Sequence, residues 1–283
     1  MTSPKIPIAA ITTVRNDDLF LPKWISYYGS AFGFRNLYIF LDGHDQVKPD
    51  CDGAELVNFI QLPFQPLERA KADRRRARIM SHLARGLFWL YDSVLAMDVD
   101  EFLVVDPQIN TPLADYLHQQ NGRPTLSGLG LDVGQHMSKE QALDPSQAFL
   151  KQRKHAHLSS RYTKPIVANQ PVTWGSGMHR VKGGNFYIDP NLYLFHFGMV
   201  DFLRSTDKTS DADRLAAGWE SHLQRRHSLF KIITHTEPQC WDSCIDTARK
   251  TQQRKRQLFS WNKPKLLAQD QVVIIPDRFQ DLI

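Results

Sequence analysis

The chain has few cysteines and no long apolar run, and both shortages narrow the class of protein. Its three cysteines, Cys51, Cys240 and Cys244, are scattered among 283 residues, so the sequence predicts no disulfide framework. No run of about 18 apolar residues is present, which argues against a membrane-spanning helix. The first residues also lack the apolar stretch of a signal peptide. Together these features predict a cytoplasmic protein.

Internal repeats, low-complexity segments and obvious linkers are missing as well. Hydrophobic residues make up 42% and charged residues 23%, which is ordinary for an ordered globular protein. At this length we expect one large α/β domain with its own core. Residues 1–125 are predicted to form one half of that domain, and residues 126–283 the other half with its C-terminal helices.

The charge balance is basic, with a net charge of +5 and a pI near 9.1. Composition alone fits nucleic acid, an anionic membrane surface or an anionic small molecule as a partner. The positive charges are concentrated at residues 69–78 and 249–256. The second segment is a candidate for peripheral contact with an anionic membrane at its inner face, although basic helix faces are often simply solvated.

Strand and helix signals alternate along the first hundred residues. A β-α-β-β-α-β order predicts a mainly parallel, Rossmann-like sheet flanked by helices, with ligands binding beyond the C-terminal strand ends. The predicted elements are a strand at 6–14, a helix at 19–32, strands at 36–41 and 55–62, a helix at 69–91 and a strand at 94–99. The apolar stripe predicted for the second helix comprises Ile79, Leu83, Leu87 and Leu90.

The rest of the chain predicts loop-rich and helical elaborations of that sheet. A short helix is bracketed by Thr111-Pro112 and Asn121-Gly122. Residues 127–197 carry many glycines, histidines and aromatic residues, which we interpret as loops and short strands. Helices are predicted at 211–231 and 241–261, and a last strand at 272–275.

An apolar run at residues 93–97 ends in the acidic segment Asp98-Val99-Asp100-Glu101. Three carboxylates within four residues repel each other unless solvent, donors or a cation compensate them. Carboxylate oxygens suit Mn²⁺ or Mg²⁺, so the pattern predicts a divalent cation. The alternative, a solvated strand end, fits poorly because an apolar run resumes at Phe102.

This segment, extended to Asp-Val-Asp-Glu-Phe, resembles the Asp-x-Asp motif of nucleotide-sugar glycosyltransferases of the GT-A fold. The N-terminal strand, the loop Arg15-Asn16-Asp17-Asp18 and the helix start Leu21-Pro22-Lys23-Trp24 are similar to family 2-like and family 92-like members. The likeness covers about the first 110 residues. It implies transfer of a sugar from a nucleoside diphosphate sugar, with UDP-sugars favoured, to a glycan or lipid-linked acceptor. Residues 1–125 would then form the nucleotide-sugar half and residues 126–283 the acceptor half.

The resemblance also implies roles for individual residues. Asp100 would bind the metal ion and take part in catalysis, and Asp98 would lie beside both the metal and the ribose. Pocket residues for the nucleotide would be Thr12, Arg15 and Asn16, with Asp42 at the base or ribose. A common turn pair or a helix cap would account for Asp42 and Asn16 equally well.

Two histidines and two arginines complete the candidate site. His196 lies in an aromatic run and is either a core histidine or a third metal ligand, for which Mn²⁺ suits imidazole better than Mg²⁺. His179, in a glycine-rich loop, would contact the diphosphate or the acceptor. Arg74 and Arg78 could bind a diphosphate, although a solvated helix face explains them as well.

An inverting transfer needs a carboxylate base, and Asp132 stands where family 2-like enzymes place theirs. The acidic pair usual in that family is absent, which leaves the base and the stereochemistry open. Glu101 is a second candidate, but strand alternation predicts that its side chain points away from Asp100.

Two other classes compete with this interpretation. A nucleic-acid-binding protein would use the basic helices, but an acidic cluster at the ligand edge argues against it, so no nucleic acid is expected. A haloacid-dehalogenase-like phosphatase would use an Asp-x-Asp strand end, but those sequences continue with Gly-Thr rather than Glu101-Phe102. A transferase fold that only binds its ligand is a third possibility.

Overall fold

This computed structural model describes residues 6–209, 220–254 and 262–283. Strands and helices alternate along the first hundred residues, and the order is less regular after that. The strands are β1 (Ile6–Val14), β2 (Leu37–Asp42), β3 (Asn58–Leu62), β4 (Tyr91–Ala96), β5 (Glu101–Val105), β6 (Thr125–Gly134), β7 (His155–Leu158), β8 (Val167–Ala168), β9 (Ile188–Met199) and β10 (Val272–Ile274). The α-helices are α1 (Phe20–Phe32), α2 (Arg69–Leu87), α3 (Leu113–Gln119), α4 (Phe149–Gln152), α5 (Phe202–Thr209), α6 (Glu220–His235) and α7 (Trp241–Gln252). The first six elements keep the predicted β-α-β-β-α-β order.

The described strands form one ten-stranded sheet flanked by helices, which confirms the predicted α/β class. The first four strands are parallel, in the order β3-β2-β1-β4. β8 then pairs antiparallel with both β4 and β6, β6 pairs antiparallel with β7, and β7 pairs antiparallel with β10. β9 lies parallel to β6 and antiparallel to β5. Parallel pairing is therefore concentrated in the first half of the chain.

The central strand β1 is covered on both faces. Its residues Ile8 and Ala10 belong to a core that includes Trp24 of α1. The alternating residues Ala9 and Ile11 belong to a core that includes Met80 of α2. A parallel strand buried in this way offers a ligand only its ends. The C-terminal ends of β1, β2 and β4 meet at one edge, because the three strands are parallel neighbours.

Helix α2 is shorter than predicted and presents a different face to the sheet. It ends at Leu87, and residue 91 already belongs to β4. Its buried residues are Ala77, Met80, Ser81, Ala84 and Leu87. Of the predicted stripe, only Leu87 is fully buried, and Leu90 is 56% exposed. The small alanines allow the helix to lie close to the sheet, so the larger aliphatic residues do not mark the inward face.

The prediction of loops and short strands for residues 127–197 is wrong at both ends of that segment. β6, with 10 residues, and β9, with 12, are longer than any other described strand. The glycines of β6 mark close backbone contacts instead of loops. A Cβ on Gly128 would lie 2.7 Å from the carbonyl carbon of Tyr193, and one on Gly130 would overlap the carbonyl oxygen of Ser159.

The C-terminal elements agree with the predictions in kind, but the helix predicted at 241–261 already ends at Gln252, and residues 253–254 are not helical. Residues 220–235 and 241–252 are helical, and residues 272–274 form β10. The remaining parts of the two predicted helices, 211–219 and 255–261, lie outside the described residues. Among the residues that are described, no helix combines the length and the apolar character needed to cross a membrane.

Candidate active site

The acidic segment forms a turn at the C-terminal edge of the parallel strands. β4 ends at Ala96 and β5 begins at Glu101, so Asp98 and Asp100 belong to neither strand. The backbone N–H of Glu101 donates to the carbonyl of Asp98 over 3.2 Å. Strand alternation stops at this turn, and the prediction that Glu101 points away from Asp100 is therefore wrong. Ligand atoms of Asp100, Glu101 and His196 all lie within 4.8 Å of one another.

Three titratable side chains stand side by side across β5, β9 and β6. His196 on β9 pairs directly with Glu101 on β5 and with Asp132 on β6. Residues directly opposite each other point to the same face of a sheet, so the three side chains meet. The Nε2 atom of His196 also lies 3.4 Å from Oδ2 of Asp100. Sheet register thus brings distant parts of the sequence to the acidic turn.

His196 is held on several sides. Its Nδ1 donates to Oδ1 of Asp132 over 2.6 Å, since a carboxylate can only accept. The ring of Tyr162 stacks on the imidazole, with centroids 3.6 Å apart. Burial lowers the pKa of His196, but the carboxylates of Asp100 and Asp132 outweigh burial and raise that pKa above its ordinary value. With Nδ1 directed at Asp132, Nε2 faces Asp100 and the centre of the site.

Two cations neutralise Asp98 and Glu101. Lys164 is fully buried and forms ion pairs with Glu101 and with Oδ2 of Asp98, the latter at 2.9 Å. Arg76 of α2 places a guanidinium nitrogen 3.1 Å from Oδ1 of Asp98. Both oxygens of Asp98 are therefore engaged. Oδ2 accepts a hydrogen bond from Lys164, whereas Oδ1 faces Arg76 without a hydrogen bond from any described residue.

These neighbours shift the two carboxylates in opposite directions. Burial raises the pKa of Asp98, but the charges of Arg76 and Lys164 outweigh burial and hold that pKa at about 2. For Glu101 burial is the stronger influence and raises the pKa to about 7, although Lys164 acts against it. Asp98 is the more firmly ionised of the two because it has two cationic neighbours.

Arg226 of α6 supplies a third cation on the other side of the site. One of its guanidinium nitrogens lies 2.9 Å from Nε2 of His196. Gly198 makes this approach possible, since a Cβ there would overlap the same nitrogen and would lie 2.7 Å from Oδ2 of Asp100. Arg226 therefore lies against both the imidazole and the acidic turn.

The predicted nucleotide-side residues Arg15, Asn16 and Asp42 do lie at this sheet edge. Arg15 donates to both carboxylate oxygens of Asp45, at 2.9 and 2.8 Å, and to the carbonyl of Asp42 at 2.7 Å. Asn16 exchanges two hydrogen bonds with the side chain of Gln46, at 2.7 and 2.8 Å. These contacts join the loops after β1 and β2 into one surface beside the acidic turn.

The arginines of α2 that reach the sheet edge are not the predicted ones. Arg78 and Arg74 are exposed and point to solvent, so Arg78 does not line the site. Arg75 and Arg76 are half-buried, and a nitrogen of Arg75 lies 3.9 Å from Oδ1 of Asp42. The reason is the rotation of the helix, which packs on its small residues and turns the pair at positions 75 and 76 toward the sheet edge.

Thr12 does not line a pocket either. Its side chain is fully buried, and its hydroxyl donates to the carbonyl of Met97 over 2.9 Å. Met97 directly precedes the acidic turn and also donates its N–H to the carbonyl of Ile11 over 3.3 Å. The contribution of Thr12 is to hold the start of that turn against β1.

His179 lies near Lys164, whose positive charge acts on its imidazole. Burial and the positive charge of Lys164 lower the pKa of His179 to about 3, so its imidazole is neutral. Its Nδ1 lies 2.9 Å from the carbonyl oxygen of Arg161. A neutral ring donating through Nδ1 leaves Nε2 as an acceptor. His179 can therefore accept a hydrogen bond but offers no positive charge to a diphosphate.

Sequence reasoning missed four residues of the site: Arg76, Tyr162, Lys164 and Arg226. Arg76 had a usable signal, because the small residues that follow it at Ala77 and Ala84 mark the inward face of α2. Lys164 had a weaker one, as a single cation directly before a proline and an apolar run. Tyr162 and Arg226 had no local signal, since only the fold places them against His196.

The residues that could hold a metal ion differ from the predicted set. The group that lies close enough together is Asp100, Glu101 and His196, so Glu101 takes the place predicted for Asp98, although Lys164 pairs with both carboxylates. Two carboxylates and an imidazole suit a hard or borderline divalent cation. The donor set therefore fits such an ion. Because Arg226 lies 2.9 Å from Nε2 of His196, it has to move before that nitrogen can bind a metal.

Comparison with known proteins does not assign the chain to a family. No protein-family model matches it, and no curated protein matches it significantly. Among solved structures it is similar to the mannose-1-phosphate geranyltransferase from Thermus thermophilus, at 10% sequence identity and a TM-score of 0.27. That alignment covers 96% of this chain and 76% of the other. A likeness this weak carries no argument about function, which has to come from the site.

Proposed function

We propose that this protein is a metal-dependent glycosyltransferase of the GT-A type, which moves a sugar from a nucleoside diphosphate sugar to a glycan or lipid-linked acceptor. The observation that carries the proposal is the group formed by Asp100, Glu101 and His196 at the C-terminal edge of parallel strands. Ligands of open α/β sheets bind at that edge. Carboxylates presented there beside an imidazole suit a divalent ion bound to an anionic ligand.

Guanidinium groups beside the metal group support a diphosphate donor. Arg75 and Arg76 reach the edge from α2, and Arg15 reaches it from the loop after β1. A guanidinium fork matches phosphate oxygens better than an ammonium does. Each of these arginines now contacts a carboxylate, a partner that a diphosphate can replace with the same geometry. We propose UDP as the nucleotide and Mn²⁺ or Mg²⁺ as the ion.

The proposed sugar transfer involves three changes at the site. The bond between the sugar anomeric carbon and the diphosphate breaks, a bond to the acceptor oxygen forms, and the acceptor proton passes to a base. A bound divalent ion supplies Lewis-acid stabilisation of the departing diphosphate. Asp132 is the proposed base of an inverting transfer, through Oδ2, because Oδ1 already accepts from His196. His179 would accept a hydrogen bond from the donor or the acceptor.

Thermal unfolding with Mn²⁺ and UDP, added separately and together, tests the proposal. We expect the pair to raise the melting temperature by more than the sum of the single additions. Asp100→Asn should lose this joint effect and the release of UDP from UDP-sugars, yet keep its unfolding free energy to within about 1 kcal/mol because Asp100 is partly exposed. The matched control is Asp52→Asn, which removes an exposed carboxylate elsewhere. Joint stabilisation that survives in Asp100→Asn would exclude the proposed metal group.

A further inference from the structure

The outward face of α2 presents cations at regular helical spacing. The face comprises Lys71, Arg74, Arg78, His82 and Arg85, separated by three or four residues, and Trp89 continues the same spacing just beyond the helix. All of these positions are exposed. We call this set the basic face of α2. At about 1.5 Å per residue it is a nearly straight line about 27 Å long.

The cations of the basic face differ from the other arginines of the same helix. Arg69, Arg75 and Arg76 have carboxylate partners. Among the described residues, none forms a hydrogen bond or ion pair with the side chain of Lys71, Arg74, Arg78 or Arg85. The one acidic residue of α2, Asp73, is half-buried and pairs with Arg69 and Arg76. The basic face therefore presents four positive charges that its own helix does not balance.

Two large apolar residues stand at the end of this line. Trp89 is 85% exposed and Leu90 is 56% exposed. An exposed tryptophan next to an exposed leucine is costly to leave in water. Tryptophan is well suited to the boundary of a bilayer, where its ring meets the acyl region and its N–H meets the headgroups. Cations along a line with an apolar end match the surface of an anionic membrane.

We propose that the basic face of α2 and the Trp89–Leu90 pair bind the surface of a bilayer that contains anionic lipids. The cations would lie over the headgroup phosphates, and Trp89 would enter the headgroup boundary. Single-stranded nucleic acid fits less well, because its binding surfaces repeat aromatic rings along a groove. Here one tryptophan stands at the end of a convex helix.

Membrane binding through this face needs neither a metal ion nor a donor, so it is independent of the proposed function. It does have a consequence for that function. The same helix carries Arg76, whose guanidinium lies 3.1 Å from Asp98 at the acidic turn. Docking through the outward face of α2 would hold the candidate site close to the bilayer, where a lipid-linked acceptor would lie.

Co-sedimentation with lipid vesicles tests the proposal. The protein is mixed with vesicles of phosphatidylcholine alone or with about 30% phosphatidylglycerol, at low and high salt. We expect binding to the anionic vesicles only, and weaker binding at high salt because screened charges attract less. Arg74→Gln/Arg85→Gln should weaken binding at least tenfold, since each interfacial cation contributes about fivefold. Trp89→Ala should weaken it several-fold at both salt concentrations.

The matched control is Arg35→Gln/Lys139→Gln, which removes two exposed cations from other elements. It has the same net charge as the α2 variant and should bind like the wild type. An equal loss in both double variants would show that net charge alone attracts the protein and would overturn the proposal. Absence of binding to anionic vesicles would also overturn it, as would retention on an oligonucleotide with no vesicle binding.

Discussion

A second buried ionic cluster in this molecule offers a comparison with the candidate site. It is formed by Glu140, Arg153, His155 and Asp201. Both oxygens of Glu140 accept from backbone N–H groups, of His136 at 2.8 Å and of Lys154 at 2.9 Å. One oxygen of Asp201 accepts from the N–H of Leu143 at 2.8 Å. We call this set the second cluster.

Comparing the pKa of Glu140 in the second cluster with that of Glu101 in the candidate site shows how the two ionic clusters differ. Burial raises the pKa of Glu140, but hydrogen bonds from His155 and from two backbone N–H groups outweigh it and lower that pKa below its ordinary value. Burial instead dominates at Glu101 and raises its pKa to about 7. Backbone donors are fixed by the fold and suit a permanent ion. At Asp98 and Glu101 the compensation comes mainly from the side-chain cations Arg76 and Lys164, with one backbone N–H, that of Asp98, donating to Glu101 over 3.3 Å.

The largest effect should come from Arg153, which is fully buried and lies against both carboxylates of the second cluster. Arg153→Met removes the cation that pairs with Asp201 and leaves Glu140 with His155 as its remaining ionic partner. Removal of one partner of a buried ion pair costs about 3–5 kcal/mol. We expect a loss of that size in the free energy of unfolding, measured in urea. The control is Arg204→Met, because the side chain of Arg204 is 40% exposed and pairs with the exposed Asp18. This change should lower the free energy of unfolding by less than about 1 kcal/mol.

The candidate site should tolerate the corresponding change better. Lys164→Met removes the cation between Asp98 and Glu101, but Asp98 keeps Arg76 and is partly exposed. Glu101 is fully buried as well, but its raised pKa lets it take up a proton when Lys164 is absent, so we expect a loss of about 2–3 kcal/mol in unfolding free energy, below the usual range for a buried ion pair. Adding Glu101→Gln to Lys164→Met should recover at least half of it, since no unpaired charge then remains. A loss equal to that of Arg153→Met, without recovery, would remove the distinction between the two clusters.

A third prediction concerns the replacement of Arg226 by a metal ion beside Nε2 of His196. Arg226→Gln removes the guanidinium that lies against Nε2 of His196 and frees that nitrogen. We expect Mn²⁺ to bind about tenfold more tightly, equivalent to about 1.4 kcal/mol, as measured by titration calorimetry. Arg204→Gln removes the same charge from α5 and should leave the affinity within about twofold, because exposed charges act weakly at a distance. Equal or weaker binding in Arg226→Gln would show that the arginine supports the metal group.

The smallest effect should be the pH dependence of the second cluster. A lowered folded-state pKa for Glu140 means that its stabilisation is present above the unfolded pKa and is lost as pH falls through the folded value. At pH 7 we expect the wild type to exceed Glu140→Gln by about 1 kcal/mol. The gap should shrink below about pH 4, near the unfolded pKa of a glutamate. Urea unfolding at pH 7, 5 and 3.5 measures the gap, and a constant difference would contradict the assignment.

Local sequence patterns determined the first half of the fold. The apolar, β-branched run at residues 6–14 forms β1 with the predicted bounds, because a strand buried on both faces needs nothing but apolar residues. Gly33, with φ at +88°, ends α1 where predicted, since that backbone conformation suits glycine. Both signals depend on near neighbours in the chain. The face of α2 was mispredicted because closeness to the sheet selected alanines over leucines.

The residues of the candidate site also fall into those that local sequence patterns identified and those that only the fold brought together. The sequence by itself placed Asp98 and Asp100 at a strand end and identified His196 and Asp132 as candidates, because charged residues beside apolar runs are conspicuous. Only the tertiary structure decided that Glu101 joins Asp100 and that Lys164, Arg76 and Arg226 supply the opposing charge. Those choices depend on a turn that interrupts strand alternation and on the register of β5, β9 and β6. Register is set by packing across the sheet between residues far apart in the chain, and no local pattern records it.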